Sequence, residues 1–479
     1  MVGESSNRAV PAILAGAFEA YGKDESRTAV VSESGSLSWR EFTGLIDEVA
    51  EEIQRESESG PVGILLPSGE SFLSVFLAAA TVGRPACTLH PDWAEPELEA
   101  AITDAGLSLI FTDREKVPEA PSPASPAPAG TDDDDPVFYI GFTSGTSGRP
   151  KPFLRRQKSW SSSFEPAGDL FSVRTGDVVY LPGSLQHSHF LFGAVFALNR
   201  GASVRMFERF DAGTLLDELQ VEERGAVYLV PTMLLALDEQ NPGPLEGVHS
   251  VVISGAKMEA HHWEIARRIF PRALVGELYG ASELSFVSVN TDGESPRDHG
   301  YVGRPFPGVE IEIRDEAGAP GADTGLVWVR SPYLFEGYLG ESGVESPIGA
   351  DGCMTVGDVG SLGPDGLSLS GRASNMVITG GKNVHPEEVE ARLAEHPDLR
   401  DCVVAGVPHA RWGEEIVAFV VFAGYDQQPG GDDLKAYLRG KVASYKIPKR
   451  WFRVEAIPLT RAGKTDRSLD RLFEGATEI

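Results

Sequence analysis

Strand-length apolar runs that lead into helix-like stretches recur along this chain, and that alternation restricts its fold more than any other feature. Residues 29–34 (AVVSES) and 62–69 (VGILLPSG) read as strands, and 71–83 (SFLSVFLAAATVG) reads as the helix after the second. The same order returns at 178–184 (VVYLPGS), 203–208 (SVRMFE), 226–231 (AVYLVP) and 251–256 (VVISGA). It is the signature of α/β layering, in which crossover helices cover parallel strands. At roughly 150 residues per domain, the 479 residues make about three domain-sized units, which large α/β folds often merge. With 41% hydrophobic residues the chain can bury a large core, which excludes global disorder, a collagen-like repeat and a disulfide-stapled miniprotein.

Charge and cysteine usage narrow the function classes. The 42 basic and 71 acidic residues give a net charge of −29. That balance argues against a duplex nucleic-acid binder, which needs cations to neutralise phosphates, and against adsorption on an anionic membrane. Cys87, Cys353 and Cys402 lie far apart with no CxxC pair, so they read as reduced thiols, and no zinc site is spelled out. The opening MVGESSNRAVPAIL has no signal-like segment, and FLFGAVFAL (190–198) is far shorter than the ~18 apolar residues a span needs. These features predict a soluble cytoplasmic protein with neither nucleic-acid nor membrane partners.

Two composition shifts divide the chain. Residues 117–136 (VPEAPSPASPAPAGTDDDDP) read as a solvated surface loop, because alternating Pro, Ala and Ser followed by four aspartates cannot bury enough surface. The second boundary falls at 371–375: residues 1–374 carry 27 basic and 55 acidic side chains, whereas 375–479 carry 15 and 16. The tail's apolar pattern (VEARLAEH, DCVVAGVP, EIVAFVVFAG, WFRVEAIP) predicts a small α+β domain.

The chemistry concentrates in five segments. In YIGFTSGTSGRPKPF (139–153), an apolar strand runs into Thr143-Ser144-Gly145-Thr146-Ser147-Gly148 and then Pro150-Lys151. Glycines let the backbone turn tightly, hydroxyls add donors and the lysine adds charge, together a cradle for a polyphosphate. It is not a Walker A loop, since GxxxxGK[ST] is absent. The others are ELYGASELS (277–285), DGCMTVGDVG (351–360), LSGRASNMVITGGKNVHPEEVE (369–390) and IPLTRAGKTDR (457–467). In order and content these five resemble the motifs of the ANL superfamily: TSGTTGxPK, YGxTE, DGWxxTGD, GRxDDxIxxGGENIxPxEIE and IPRTxxGKxxR. That superfamily comprises acyl-CoA synthetases, peptide-synthetase adenylation domains and luciferases.

The resemblance implies an α/β fold: a large N-terminal domain of layered β-sheets with flanking helices (1–372) and a small mobile C-terminal α+β lid (373–479). It implies that the 143–148 loop and Lys151 bind the ATP phosphates, with Tyr279, Gly280, Ser282, Asp358, Arg372 and Lys464 completing the nucleotide site. Glu283, with Thr143, would hold Mg²⁺, a cation that prefers carboxylate and phosphate oxygens. Asp358 would accept from the ribose hydroxyls, and Arg372 would contact the ribose or phosphates. Lys464 would neutralise charge developing between carboxylate and α-phosphate. Gly380, Gly381 and Lys382 would line a tunnel for a pantetheine thiol, and Ser374 would be the hinge. The chain departs from the pattern at Ser282, Cys353, Val356, Ser374, Asn375 and Leu459.

For the acid, the resemblance points to LPGSLQHSHFLFG (181–193), to Ser254, Gly255, Ala256 and Lys257, and to Gly280. His187 is placed as the residue gating the acyl site, with His189 its competitor; for either, the competing reading is a packed or surface histidine. Lys257, in a turn where some aryl-acid-activating relatives carry lysine, favours an aromatic or small carboxylic acid. The expected function is ATP-dependent activation of a carboxylic acid as acyl-AMP, then thioester formation with CoA. The alternatives are a stand-alone adenylation enzyme loading the phosphopantetheine of a carrier protein, transfer of the adenylate to another nucleophile such as an amine, and a nucleotide-binding module without turnover.

Overall fold

The computed structural model describes residues 24–57, 59–107, 109–113, 135–144, 150–291, 300–315, 317–340, 343–379, 382–409, 411–424, 428–460 and 465–479. Most of the 117–136 stretch, Gly145 to Gly148, Gly380, Gly381 and Lys464 lie outside the described residues.

The predicted parallel strands form the middle of a thirteen-stranded sheet. Thr28–Ser32, Ser203–Met206, Val178–Leu181, Gly225–Leu229, Val248–Ile253 and Leu274–Ala281 are parallel neighbours in that spatial order. Beyond Leu274–Ala281 the sheet continues antiparallel through Ser285–Thr291, Tyr301–Pro305, Gly366–Arg372, Asp358–Gly363, Gly325–Arg330 and Glu310–Arg314. The alternation of runs and helices did not point to this half, because hairpin-linked strands carry no crossover helices.

A second sheet of seven strands has parallel Leu109–Thr112, Val62–Leu65, Ala86–Thr88 and Val137–Ser144, then antiparallel Pro150–Arg156, Gly337–Gly340 and Gly343–Glu345. Helix Glu70–Thr81 contacts strands of both sheets, and Ser188–Asn199 packs on the larger one. Both are apolar on nearly every side and bury Phe72 to Ala80 and Phe190 to Leu198, as interior helices do. Their side chains join those of both sheets in one continuous core. Among the described residues no helix is long and apolar enough to cross a membrane.

From Val377 onward the chain builds a separate six-stranded sheet with helices Pro386–Leu393, Gly431–Leu438 and Leu469–Phe473. Its two apolar clusters contain only residues of this segment. Pro386 opens its helix with Glu387 and Glu388 in the first turn, where a fixed φ and negative charge both suit the N-terminus. The predicted α+β tail is therefore observed.

Candidate active site

Parallel strands present their carboxyl ends to one side, and an open α/β sheet binds ligands there. In this chain the segments after Leu181, Leu229, Ile253 and Ala281 line one cleft of about 3180 Å³, with the third sheet contributing its far wall. The cleft gathers Thr143, Lys151, Tyr279, Gly280, Ser282 and Glu283 with Asp358, Arg372 and Ser374. His187, Ser254, Gly255, Ala256 and Lys257 line it too. Thr143 and Ser374, 231 residues apart in sequence, thus share one space.

Strands Val137–Ser144 and Pro150–Arg156 form an antiparallel pair that sets Thr143 opposite Lys151 and Ser144 opposite Pro150. The Lys151 ammonium lies 3.9 Å from the ring centroid of Tyr338, a cation–π contact. The Tyr338 hydroxyl in turn donates to Glu283 Oε1 at 2.9 Å. Glu283 sits in the turn that joins Leu274–Ala281 to Ser285–Thr291, and its carbonyl accepts from the Phe335 amide at 2.9 Å. That turn requires Gly280: a Cβ there would lie 1.9 Å from the Ser285 carbonyl oxygen. Among the described residues no side chain donates to Glu283 Oε2. One such carboxylate oxygen, in a cleft that Thr143 and Lys151 also line, suits Mg²⁺ that draws its other ligands from phosphates and water.

Asp358 and Arg372 are directly opposed residues of neighbouring antiparallel strands, which explains their pairing despite 14 residues of separation. Arg372 Nε donates to Asp358 Oδ1 at 3.0 Å, and the Tyr279 hydroxyl donates to Oδ2 at 2.5 Å. Burial first, and then the Asp358 charge, push the Tyr279 phenol well above its ordinary pKa, so it stays a donor. Cys353 is buried, and Val356 packs against the main core while lining the cleft.

At the acyl end both histidines line the cleft, but they differ in their partners. His189 Nε2 lies 3.2 Å from the Leu229 carbonyl, and its ring packs on Phe190 and Tyr228. Burial pulls its pKa down to about 4, so it is neutral, a packed histidine tying a helix to a strand end. His187 is the N-cap of helix Ser188–Asn199, 5.7 Å from the His90 ring, at the cleft. Lys257 also reaches the cleft, but its ammonium lies 3.0 Å from both oxygens of Glu277 and 3.0 Å from the Met258 carbonyl. Glu277 is buried and also accepts from the Met258 amide and Asn290. The charge of Lys257 is committed to this carboxylate. Ser254 donates to the Leu278 carbonyl at 3.1 Å, and Gly255 has φ +95°, a conformation that favours glycine.

In the third sheet, Leu459 and Thr465 pair across the segment that contains Lys464, and Thr460, Thr465 and Arg467 line the cleft. Arg467 forks onto both oxygens of Glu390 at 2.6 and 2.7 Å. Lys382 is exposed and lies 4.4 Å from the Tyr445 ring centroid. Ser374 is exposed in a single 3₁₀ turn, Ala373–Asn375, and Asn375 donates to Glu387 on the helix beyond it.

Two side chains at the site escaped the sequence reading. Tyr338, in EGYLG, carries no motif signal of its own. Arg155 is fully buried, and its signal was available: the period of two in a strand puts Lys151, Phe153 and Arg155 on one face.

The family model described as AMP-binding enzyme matches residues 18–339, and the one described as AMP-binding enzyme C-terminal domain matches 388–464. The chain belongs to the AMP-binding enzyme family. This AMP-binding enzyme is 34% identical to the uncharacterized acyl-CoA ligase YhfT of Bacillus subtilis over 463 residues, 92% of this chain and 94% of the relative. It is 32% identical to the putative long chain fatty acid-CoA ligase VraA of Staphylococcus haemolyticus over 348 residues, 72% of each. Its structure resembles that of the amide bond synthetase McbA of Marinactinospora thermotolerans, with TM-score 0.82 and 25% identity, covering 95% of this chain and 98% of that one. The AMP-binding enzyme is thus an adenylate-forming acid–thiol ligase of the ANL superfamily, as the five motifs imply.

Proposed function

We propose that this ligase activates an apolar carboxylic acid with ATP and Mg²⁺ and passes the acyl group to CoA, using the cleft described above. One observation carries the reading: Thr143 and Lys151, Glu283, and the Asp358–Arg372 pair converge on a single cleft. In the first half-reaction a carboxylate oxygen attacks the α-phosphorus, the bond to pyrophosphate breaks, and acyl-AMP forms. Lys151 would bind the phosphates and Lys464 is assigned to the forming oxyanion, and in a cleft that excludes water such charges stabilise developing charge most. Mg²⁺, held by Glu283 and Thr143, would neutralise phosphate charge. Asp358 and Tyr279 hold the ribose end. In the second half a thiolate attacks the acyl carbon and AMP leaves. The domain division at 372/373, with rotation about Ser374, brings the Gly380-Gly381-Lys382 side to the cleft for that step.

Phe192, Tyr228, Val230 and Phe286 line the acyl end, which supports an acid with an apolar aryl or alkyl group. With Lys257 paired to Glu277, nothing in that turn favours an aryl acid over an alkyl one. The name of VraA favours the longer chain. The resemblance to an amide bond synthetase supports a second reading, in which an amine takes the acyl group. Cytoplasmic location fits CoA and ATP as substrates.

The test is ATP–pyrophosphate exchange over aryl, short-chain, long-chain and amino acids, followed by product analysis with CoA, carrier proteins and amines. Exchange with one acid group and a CoA thioester is the expected result. A CoA-independent amide supports the second reading, and exchange with amino acids alone contradicts the proposed acid class. Lys464→Ala is expected to lose exchange while still forming thioester from supplied acyl-AMP.

A further inference from the structure

Arg155 is a cation with no carboxylate at bonding distance. It is 1% exposed, and every acceptor it uses is neutral. Nε and one terminal nitrogen donate to the Ser282 carbonyl at 3.1 and 2.7 Å. The other terminal nitrogen donates to the Tyr333 carbonyl at 2.9 Å and to Ser159 Oγ at 3.1 Å. The Glu283 charge acts on Arg155 through space and favours its charged form, but burying a guanidinium with no hydrogen-bonded carboxylate is costly, and an aliphatic side chain would fill the same space. Burial pulls its pKa down to about 10, which leaves it charged at neutral pH.

Its partners explain the charge. Ser282 precedes Glu283, and in a trans peptide the Ser282 carbonyl and the Glu283 N–H point opposite ways. Fixing that carbonyl on Arg155 therefore fixes the peptide plane from which Glu283 departs. Tyr333 begins the segment whose Phe335 amide and Tyr338 hydroxyl hold Glu283 from the other side. One guanidinium thus ties both segments that clasp this carboxylate.

We infer that Arg155 is a positioning residue for the metal-binding carboxylate: it sets the Ser282–Glu283 turn and the Tyr333–Tyr338 segment so that Glu283 meets the metal on ATP. The inference rests on the proposed role of Glu283 and extends it to a residue that lines the cleft and acts through the Ser282 and Tyr333 carbonyls rather than as a metal ligand. A positioned ligand shows itself in metal demand, because a misplaced carboxylate must be compensated by more Mg²⁺.

The experiment is an Mg²⁺ titration of acid-dependent pyrophosphate exchange at saturating ATP, for the wild type, Arg155→Met, Arg155→Lys and Glu283→Gln, with thioester formation from supplied acyl-AMP as the parallel readout. Arg155→Met is expected to raise the half-saturating Mg²⁺ at least tenfold, leaving the acid KM and the thioester step within twofold. Arg155→Lys, which keeps the charge but loses the fork, is expected to fall between, and it carries the test alone if Arg155→Met does not fold. Unchanged Mg²⁺ demand in soluble Arg155 variants, with Glu283→Gln impaired, overturns the inference and leaves the role of Glu283 standing. Equal loss of both half-reactions in Arg155→Lys also overturns it, by showing a structural role only. Normal exchange in Glu283→Gln removes the reading on which both depend.

Discussion

Lys257 stands at the acyl end of the cleft, yet its job is set by the buried Glu277 beneath it. Removing one partner of such a pair leaves an uncompensated charge, a loss of about 3–5 kcal/mol. Lys257→Met should therefore lower the melting temperature markedly, and adding Glu277→Gln should restore part of it. If Lys257→Met instead keeps its stability and changes only the acid preference, the ammonium is serving substrate. His189 gives a second residue-scale prediction. Its pKa of about 4 in the fold lies below the ordinary 6.5 of the unfolded chain. The unfolded state then binds more protons between those values, so this group's stabilisation is complete above pH 6.5 and is lost as pH falls toward 4. Glu259, pushed up to about 7 chiefly by burial, acts in the opposite sense from pH 4.5 to 7. The contribution of His189 is thus read by difference: His189→Gln should lose less stability than the wild type between pH 6.5 and 4 in denaturant titrations. Equal slopes would contradict it.

At the scale of elements, the Leu274–Ala281 to Ser285–Thr291 hairpin carries Glu283 on a turn that tolerates no side chain at Gly280. Gly280→Ala must move the backbone, and a displacement near 1 Å at a reacting site costs on the order of 10²-fold in rate. Pyrophosphate exchange should fall by about that factor; an unchanged rate would show that Glu283 does not need this turn. The same hairpin shows what could be read beforehand. Its tyrosine, glycine and glutamate stood out as a motif, and the parallel strands before it stood out because helices separate them. The antiparallel strands from Ser285 to Arg372 did not, because no crossover helix separates them. Arg155 was passed over because a charged residue beside Arg156 in FLRRQK looks solvated, whereas strand alternation turns it inward onto the Ser282 carbonyl.

Over the whole molecule, the proposed mechanism assigns the two halves of the reaction to different segments of the small domain. Arg467, three residues past Lys464, is forked onto Glu390, which is half-buried and also accepts from the Val404 amide. Arg467→Met would release the chain segment that follows Lys464 in sequence and leave Glu390 without its cation. It is expected to depress adenylation at least tenfold while thioester formation from supplied acyl-AMP changes little, since that step does not use Lys464. Equal effects on both steps would show that the pair only stabilises the small domain. Composition pointed to that domain, through the charge shift near 375, whereas the way Thr460, Thr465 and Arg467 face the large cleft follows from packing alone.

The measurement that reaches the centre of the account is acid-dependent ATP–pyrophosphate exchange by the wild type and by Glu283→Gln, with the best acid and saturating Mg²⁺. The account predicts robust exchange in the wild type and a loss of about 10² or more in the variant, the scale seen when an electrostatic group is removed from a preorganised site. Exchange that survives Glu283→Gln undiminished would contradict it.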